Sequence, residues 1–167
     1  MLKTLLSYSV SSFFFGLFGV NWDAIDRRIE REFPNVSTVS TSSLHQQLQQ
    51  PASLPVIIDV REAEEYSVSH LQTALNIMTG EDVARQVPDR DTPIIVYCSV
   101  GYRSAGVAAK LEELGYTRVS NLRHSIFEWA SKGYPMESGA GDTDKVHPFN
   151  TAWGSLVDQE LRAYSPD

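Results

Sequence analysis

Apolar residues fall into blocks whose period changes along the chain. Residues 1–20 end in the run Phe13–Phe14–Phe15–Gly16–Leu17–Phe18–Gly19–Val20 behind a single Lys3. A secretory signal needs a basic start and small residues at a cleavage site, but Lys3 stands alone and no such site follows. A spanning helix needs about 20 predominantly apolar residues, and Thr4, Ser7, Ser9, Ser11 and Ser12 dilute this stretch. Two readings therefore stand side by side. Residues 1–20 are either a signal or anchor that brings membrane contact or export, or an apolar segment packed on the domain or on a partner. Localisation stays open with them, between cytoplasmic and membrane-associated or exported. Residues 21–35 change period: Trp22, Ile25, Ile29 and Phe33 recur at spacings of three and four with charges between them, which predicts an amphipathic helix stopped by Pro34.

From residue 36 strands and helices alternate. Val36–Val39 predicts a short strand and Thr41–Gln49 a short helix. Pro55–Val56–Ile57–Ile58–Asp59–Val60 and Pro93–Ile94–Ile95–Val96–Tyr97 are continuous apolar runs of the kind buried on both faces of a sheet. Between and after them come a helical turn at Glu62–Tyr66, a strand at Ala74–Ile77 and a helix at Ser104–Leu114 ended by Gly115. A strand around Val119 and a helix at Ser125–Lys132 complete the pattern. Such alternation defines an α/β domain with a mainly parallel central sheet flanked by helices. In the remainder, residues 137–167, Ser138–Gly139–Ala140–Gly141–Asp142 reads as a linker and His147–Pro148–Phe149 as an ordered turn. Trp153, Leu156, Val157, Leu161 and Tyr164 fall at helical spacing, which predicts a C-terminal helix packed back on the domain, with a docking surface for another protein as the alternative.

Composition narrows the function classes. The 167 residues carry a net charge of −7, and residues 21–167 hold all 21 acidic and all but one of the 14 basic residues, a net −8. Such a chain gains nothing from releasing phosphate counterions, so no nucleic-acid partner is expected. The single cysteine, Cys98, excludes an intramolecular disulfide and cysteine-cluster metal sites. His45, His70 and His147 lack partners at metal-ligand spacing, so no metal is expected.

Cys98 ends the second apolar strand and opens Cys98–Ser99–Val100–Gly101–Tyr102–Arg103–Ser104. Ligands of open α/β sheets bind at the carboxyl ends of the strands. If Gly101 lets the chain curl tightly, consecutive N–H groups converge on the sulfur, at the positive end of the following helix. Arg103 adds a permanent charge, and Ser104 can cap the helix and offer a hydroxyl to the sulfur. Each device favours thiolate over thiol. Taken alone, a lone cysteine can equally be a small buried residue ending a strand.

Neighbouring segments shift that balance. Ile58–Asp59–Val60–Arg61–Glu62–Ala63–Glu64–Glu65–Tyr66 resembles the D-V-R-x-x-x-E-[FY] segment of the rhodanese-like domain family. Ser69–His70–Leu71–Gln72–Thr73–Ala74–Leu75–Asn76–Ile77 resembles its G-H-I-x-G-A-x-x-I segment. Residues Ile95 to Ser104 are similar to its active-site loop, and Leu114–Gly115–Tyr116, Trp129 and Gly133–Tyr134–Pro135 to the end of its domain. The resemblance covers residues 36–136 and implies a rhodanese-like three-layer α/β fold.

It also implies a single-domain sulfurtransferase that needs no cofactor. Cys98 as thiolate would take the outer sulfur of a donor such as thiosulfate, and a cyanide or thiol acceptor would remove it from the Cys98 persulfide. Arg103 would orient the donor anion as the second catalytic residue. Ser99, Val100, Gly101, Tyr102 and Ser104 would line the bound group, and Asp59 and Arg61 would tie the strand end structurally. A protein sulfur acceptor is a further partner of this chemistry. With no resolving cysteine, a persulfide must pass to an external acceptor.

An alternative is a persulfide-relay or protein-binding module with little turnover of small donors. Phosphatases and arsenate reductases of C-x5-R type stand further off, because four residues separate Cys98 from Arg103. Two departures mark this chain. The H-x-P-G-A pattern reads His70–Leu71–Gln72–Thr73–Ala74, and the G-G-I pattern reads His124–Ser125–Ile126. Arg123 and His124 would then stand near the pocket rim, with His124 either binding an anionic donor or simply packed.

Overall fold

The computed structural model describes residues 20–50 and 54–166. Except for Val20, residues 1–20 and the membrane or packing readings attached to them lie outside the described residues. Among the described residues no helix is long and apolar enough to cross a membrane.

The continuous apolar runs become the centre of the sheet. Strands β1 (Thr38–Val39), β2 (Val56–Asp59), β4 (Leu75–Asn76), β5 (Ile94–Tyr97) and β6 (Val119–Leu122) form one parallel sheet in the order β1-β6-β5-β2-β4. Alternation along a strand sends neighbouring side chains to opposite faces. Ile57, Ile95 and Tyr97 accordingly join one core cluster, and Ile58, Ile94 and Val96 the other. On the first face lie α1 (Trp22–Glu32), α2 (Thr41–Leu48) and α6 (Ser125–Ser131), contributing Ile25, Ile29, Leu44, Ile126 and Phe127. On the second lie α4 (Gly80–Gln86) and α5 (Tyr102–Glu113), contributing Val83, Ala108 and Leu111. Two faces covered by helices make three layers, as expected.

Differences from the sequence reading are local. Helix α3 (Ala63–Val68) starts and ends later than the expected turn, and α4 was not anticipated. Its signal is short: Asn-like capping by Thr79, whose hydroxyl accepts from the Asp82 amide, and one buried Val83. A second, antiparallel sheet joins β3 (His70–Leu71), β7 (Met136–Ser138) and β8 (Gly141–Thr143). The stretch expected to be a linker is therefore a tight hairpin, turned at Gly139–Ala140, with Gly141 at φ 119° opening β8. Strand β7 begins at Met136, the last residue of the expected domain, and β8 follows it.

The long C-terminal helix is corrected too. One helical turn, α7 (Thr151–Gly154), and a 3-10 turn at Gln159–Leu161 replace it. The chain extends again at Arg162 because Val146 N–H donates to the Leu161 carbonyl and Ala163 N–H to the Val146 carbonyl. Val146 and Val157 are buried in the first core cluster, so the segment does pack back on the domain.

Candidate active site

Strand β5 delivers Cys98 to the carboxyl edge of the sheet, where the loop closes over it. Gly101 sits at φ 102°, a left-handed conformation, and a Cβ there would lie 3.4 Å from the Leu122 carbonyl oxygen. That turn aims the Gly101 amide at the Cys98 Sγ, 3.2 Å away. The Val100 and Ser104 amides add to the groups that favour a thiolate there. Gly101 is at the same time the N-cap of α5, so the helix cap falls there rather than on Ser104. Burial pushes the Cys98 thiol up. The Arg103 charge, the Ser104 hydroxyl and these amides outweigh it, and the thiol lies below its ordinary value. Cys98 itself is 1% exposed.

The loop carbonyls are turned away from the sulfur by α6. Ile126 N–H donates to the Cys98 carbonyl at 3.2 Å and Phe127 N–H to that of Ser99 at 3.1 Å. Ser125 Oγ accepts from the Cys98 amide at 3.1 Å and donates to the Leu122 carbonyl. Asn121, buried in β6, ties the other end: its Nδ2 donates to the Gly101 carbonyl at 2.9 Å, and its Oδ1 accepts from Ser104 Oγ at 2.6 Å. Ser104 Oγ is 3.5 Å from Sγ.

Arg103, expected to orient the donor anion, is paired within the protein. Its two terminal nitrogens donate to the two oxygens of Glu65 at 2.8 Å each, and Nη2 also reaches Ser99 Oγ at 2.9 Å. Ser99 Oγ donates to Glu65 Oε1 at 3.0 Å, which closes the triangle. The side chain of Arg103 is about a third exposed and that of Glu65 almost wholly buried. The Arg103 charge still acts on Cys98 and favours its thiolate.

The remaining expected residues divide between the loop and its supports. Asp59 and Arg61 form a fully buried ion pair at 2.6 Å, and Arg61 Nη2 continues to the Ser69 carbonyl at 2.6 Å, joining the end of β2 to the start of β3. Val100 is buried. The hydroxyl of Tyr102 leaves the pocket for α1, accepting from Arg28 at 3.0 Å and donating to Glu32. His124 is packed: its ring lies 4.3 Å from that of Trp22, with Nε2 3.1 Å from Asp26 and Nδ1 3.1 Å from Glu128. Arg123 pairs with Asp26.

Three residues that shape the site carry no role in the sequence reading: Glu65, Asn121 and Ser125. Glu65 lies inside the quoted E-[FY] segment, where a second acidic residue three positions after Glu62 signals a helix start; Glu62 N–H donates to its Oε2. Asn121 has the weaker signal of an amide in an otherwise apolar strand end, a position that demands a partner.

A lone thiol in a C-x4-R loop, at the carboxyl edge of a parallel sheet and beneath converging amides, defines a protein built for nucleophilic sulfur chemistry. The chain belongs to the rhodanese-like domain family, whose model matches residues 40–132. It is 42% identical over 77 residues to thiosulfate sulfurtransferase PspE of Escherichia coli (strain K12), a match that covers 41% of this chain and 74% of that protein. A sulfurtransferase of Allochromatium vinosum is 31% identical over 108 residues, covering 64% of this chain and 99% of the relative. Among solved structures, a thiosulfate sulfurtransferase from Pseudomonas aeruginosa superposes with a TM-score of 0.60 at 26% identity, over 70% of this chain and 22% of that one.

Proposed function

We propose that this chain is a thiosulfate sulfurtransferase acting through a Cys98 persulfide. The Cys98 thiolate attacks the outer sulfur of thiosulfate. The sulfur–sulfur bond of the donor breaks, sulfite leaves with the electron pair, and the enzyme carries Cys98–S–S⁻. Cyanide or a thiolate then attacks the terminal sulfur, and the Cys98 thiolate is restored. The donor brings in one sulfane sulfur and the acceptor removes it, so no external oxidant or reductant is required.

The observation that carries this reading is the Gly101 amide 3.2 Å from a buried sulfur, in a loop whose Val100 and Ser104 amides also favour the thiolate. Those donors supply what a terminal persulfide anion lacks once water is excluded, charge-assisted hydrogen bonds. Burial of Cys98 favours slender donors and acceptors over a bulky protein group. A phosphoryl substrate would require the Arg103 nitrogens on its own oxygens, whereas both are engaged by Glu65.

The test is incubation of the purified chain with thiosulfate, followed by intact-mass measurement and a thiocyanate assay with cyanide. A gain of one sulfur atom on Cys98 and its loss on adding cyanide are expected, and Cys98→Ser should abolish both. Thiocyanate formation by Cys98→Ser, or no sulfur adduct on the parent, would refute the mechanism.

A further inference from the structure

Residues beyond the 40–132 match reach the active-site loop. The strap that follows β8 is locked to itself and to the core: Arg162 donates from Nε and Nη2 to the Val157 carbonyl at 2.8 and 2.6 Å. Pro148 packs so close to Gly154 that a Cβ there would meet it at 3.0 Å. Within the strap the Phe149 N–H donates to His147 Nδ1 at 3.1 Å. This local turn holds Phe149 at φ 65°, left-handed for a residue with a bulky side chain. Such strain persists where the surroundings impose it, and here it delivers the phenyl ring over the loop. The Arg103 guanidinium carbon stands 4.9 Å from the ring centroid.

Glu65 and Ser99 engage both terminal nitrogens of the Arg103 guanidinium. The Phe149 ring lies beside its central carbon. The ring quadrupole attracts the cation, and the ring also excludes solvent that would screen Arg103 from Cys98. We propose that Phe149 is a positioning residue of the active site, holding Arg103 in its Glu65–Ser99 pair so that the cation acts on Cys98, and that the C-terminal strap is thereby part of the catalytic unit. The proposal deepens the sulfurtransferase reading above and rests on Cys98 as its nucleophile. The charged groups that face Arg103 are Glu65 on α3, Arg61 after β2, Cys98 in the loop and His147 in the strap.

Phe149→Gly separates position from folding, because glycine adopts the left-handed turn without strain while removing the ring. In the full chain, the rate of Cys98 alkylation by iodoacetamide is measured from acid to alkaline pH for the parent, Phe149→Gly, Phe149→Leu and Phe149→Tyr. His147 is common to all four, so its own titration does not separate the profiles. Phe149→Gly should be alkylated about two- to fivefold more slowly at neutral pH, with its midpoint moved upward and no loss of melting temperature. Phe149→Tyr should restore the parent profile, and Phe149→Leu should fall between. A Phe149→Gly profile superimposed on the parent's, or an equal loss in Phe149→Tyr, would overturn the proposal. Sulfur uptake from thiosulfate, followed in parallel, keeps the two readings apart. A parent that takes up sulfur and an unshifted Phe149→Gly profile sink the positioning role alone. A shifted profile in a chain that takes up no sulfur upholds the positioning role and sinks the sulfurtransferase reading.

Discussion

Two irregular segments meet at Arg103, and each turns on a left-handed residue: Gly101 in the active-site loop at φ 102°, Phe149 in the C-terminal strap at φ 65°. The loop uses glycine, and its shape is enforced from outside by buried polar side chains of three elements, Glu65, Asn121 and Ser125. The strap places a bulky residue where glycine would be at ease, and it is fastened by backbone pairing at Val146 and two apolar anchors. Over-determined surroundings make the loop stiff, so small deformations there are costly. The strap is attached at a few points and its ring is partly exposed, so its influence on the chemistry is graded. The two segments should therefore respond to mutation on different scales.

The largest effect is expected where they meet. Arg103→Ala leaves the buried Glu65 carboxylate without its partner and unties Ser99. It should cost about 3 kcal/mol in stability and lower thiosulfate turnover about tenfold through a less acidic Cys98. Burial raises the Glu65 carboxyl, but Arg103, Arg61 and the Glu62 amide hold it below the ordinary carboxylate range. A folded-state value below the unfolded one contributes stability above the unfolded value, lost as pH falls through the folded one. The parent should thus lose melting temperature on acidification below about pH 4. In Arg103→Ala burial acts against less compensation, so that acid slope should shrink or reverse. An unchanged slope would separate Glu65 from Arg103. Gly101→Ala comes next. The left-handed turn becomes strained, at about 2 kcal/mol, and the amide shifts off the sulfur, so turnover should fall further than stability alone accounts for. Steady-state kinetics beside a thermal melt reads both.

Val157→Ala probes the strap. Truncating this buried anchor should cost about 1.5 kcal/mol, read as a lower denaturant midpoint. The change in Cys98 alkylation should not exceed that of Phe149→Gly, because the anchor acts on the site only through the ring. A collapse of reactivity as deep as that of Gly101→Ala would mean that the strap is as rigidly coupled as the loop, and the distinction between them would fail.

The sheet was legible in the chain because Ile57–Ile58 and Ile94–Val96 must be apolar on both faces, which leaves short continuous apolar runs bounded by proline and polar residues. Cys98 and its loop were legible because they end such a run. The strap was not. Trp153, Leu156, Val157, Leu161 and Tyr164 keep a helical period, yet the pairing of Val146 with Leu161 and Ala163 overrides it, and that pairing is invisible in local spacing. Glu65 meets Arg103 across 38 positions of sequence, so the pairing of that arginine could only be seen in three dimensions. The two departures from the family's pattern prove informative after the fact. Thr73, His124 and Ser125 stand where that pattern has glycine, and all three have positive φ. At each of the three the backbone adopts the left-handed conformation that favours glycine. At His124 and Ser125 the new side chains are engaged, with Trp22, Asp26 and Glu128 in one case and with Cys98 and Leu122 in the other.

Thr73 supplies the smallest and sharpest test of what a left-handed side chain is for. It is exposed, at φ 65°, and its backbone N–H, which donates to Glu137 at 3.2 Å, would survive any substitution except proline. Thr73→Gly relieves the steric cost of that conformation, offset in part by the greater freedom of glycine in the unfolded chain. A net gain of about 0.5 kcal/mol is expected, seen as a small rise in denaturant midpoint, with Cys98 alkylation and thiosulfate turnover unchanged. The same φ at Phe149 should give a different answer: glycine there also relieves strain, but reactivity falls with the ring. If both glycine variants gain stability and only the one in the strap slows Cys98, strain at Phe149 is retained for the site. If Thr73→Gly slows Cys98 as well, positive φ near this sheet edge matters for loop geometry in general, and Phe149 loses its special place.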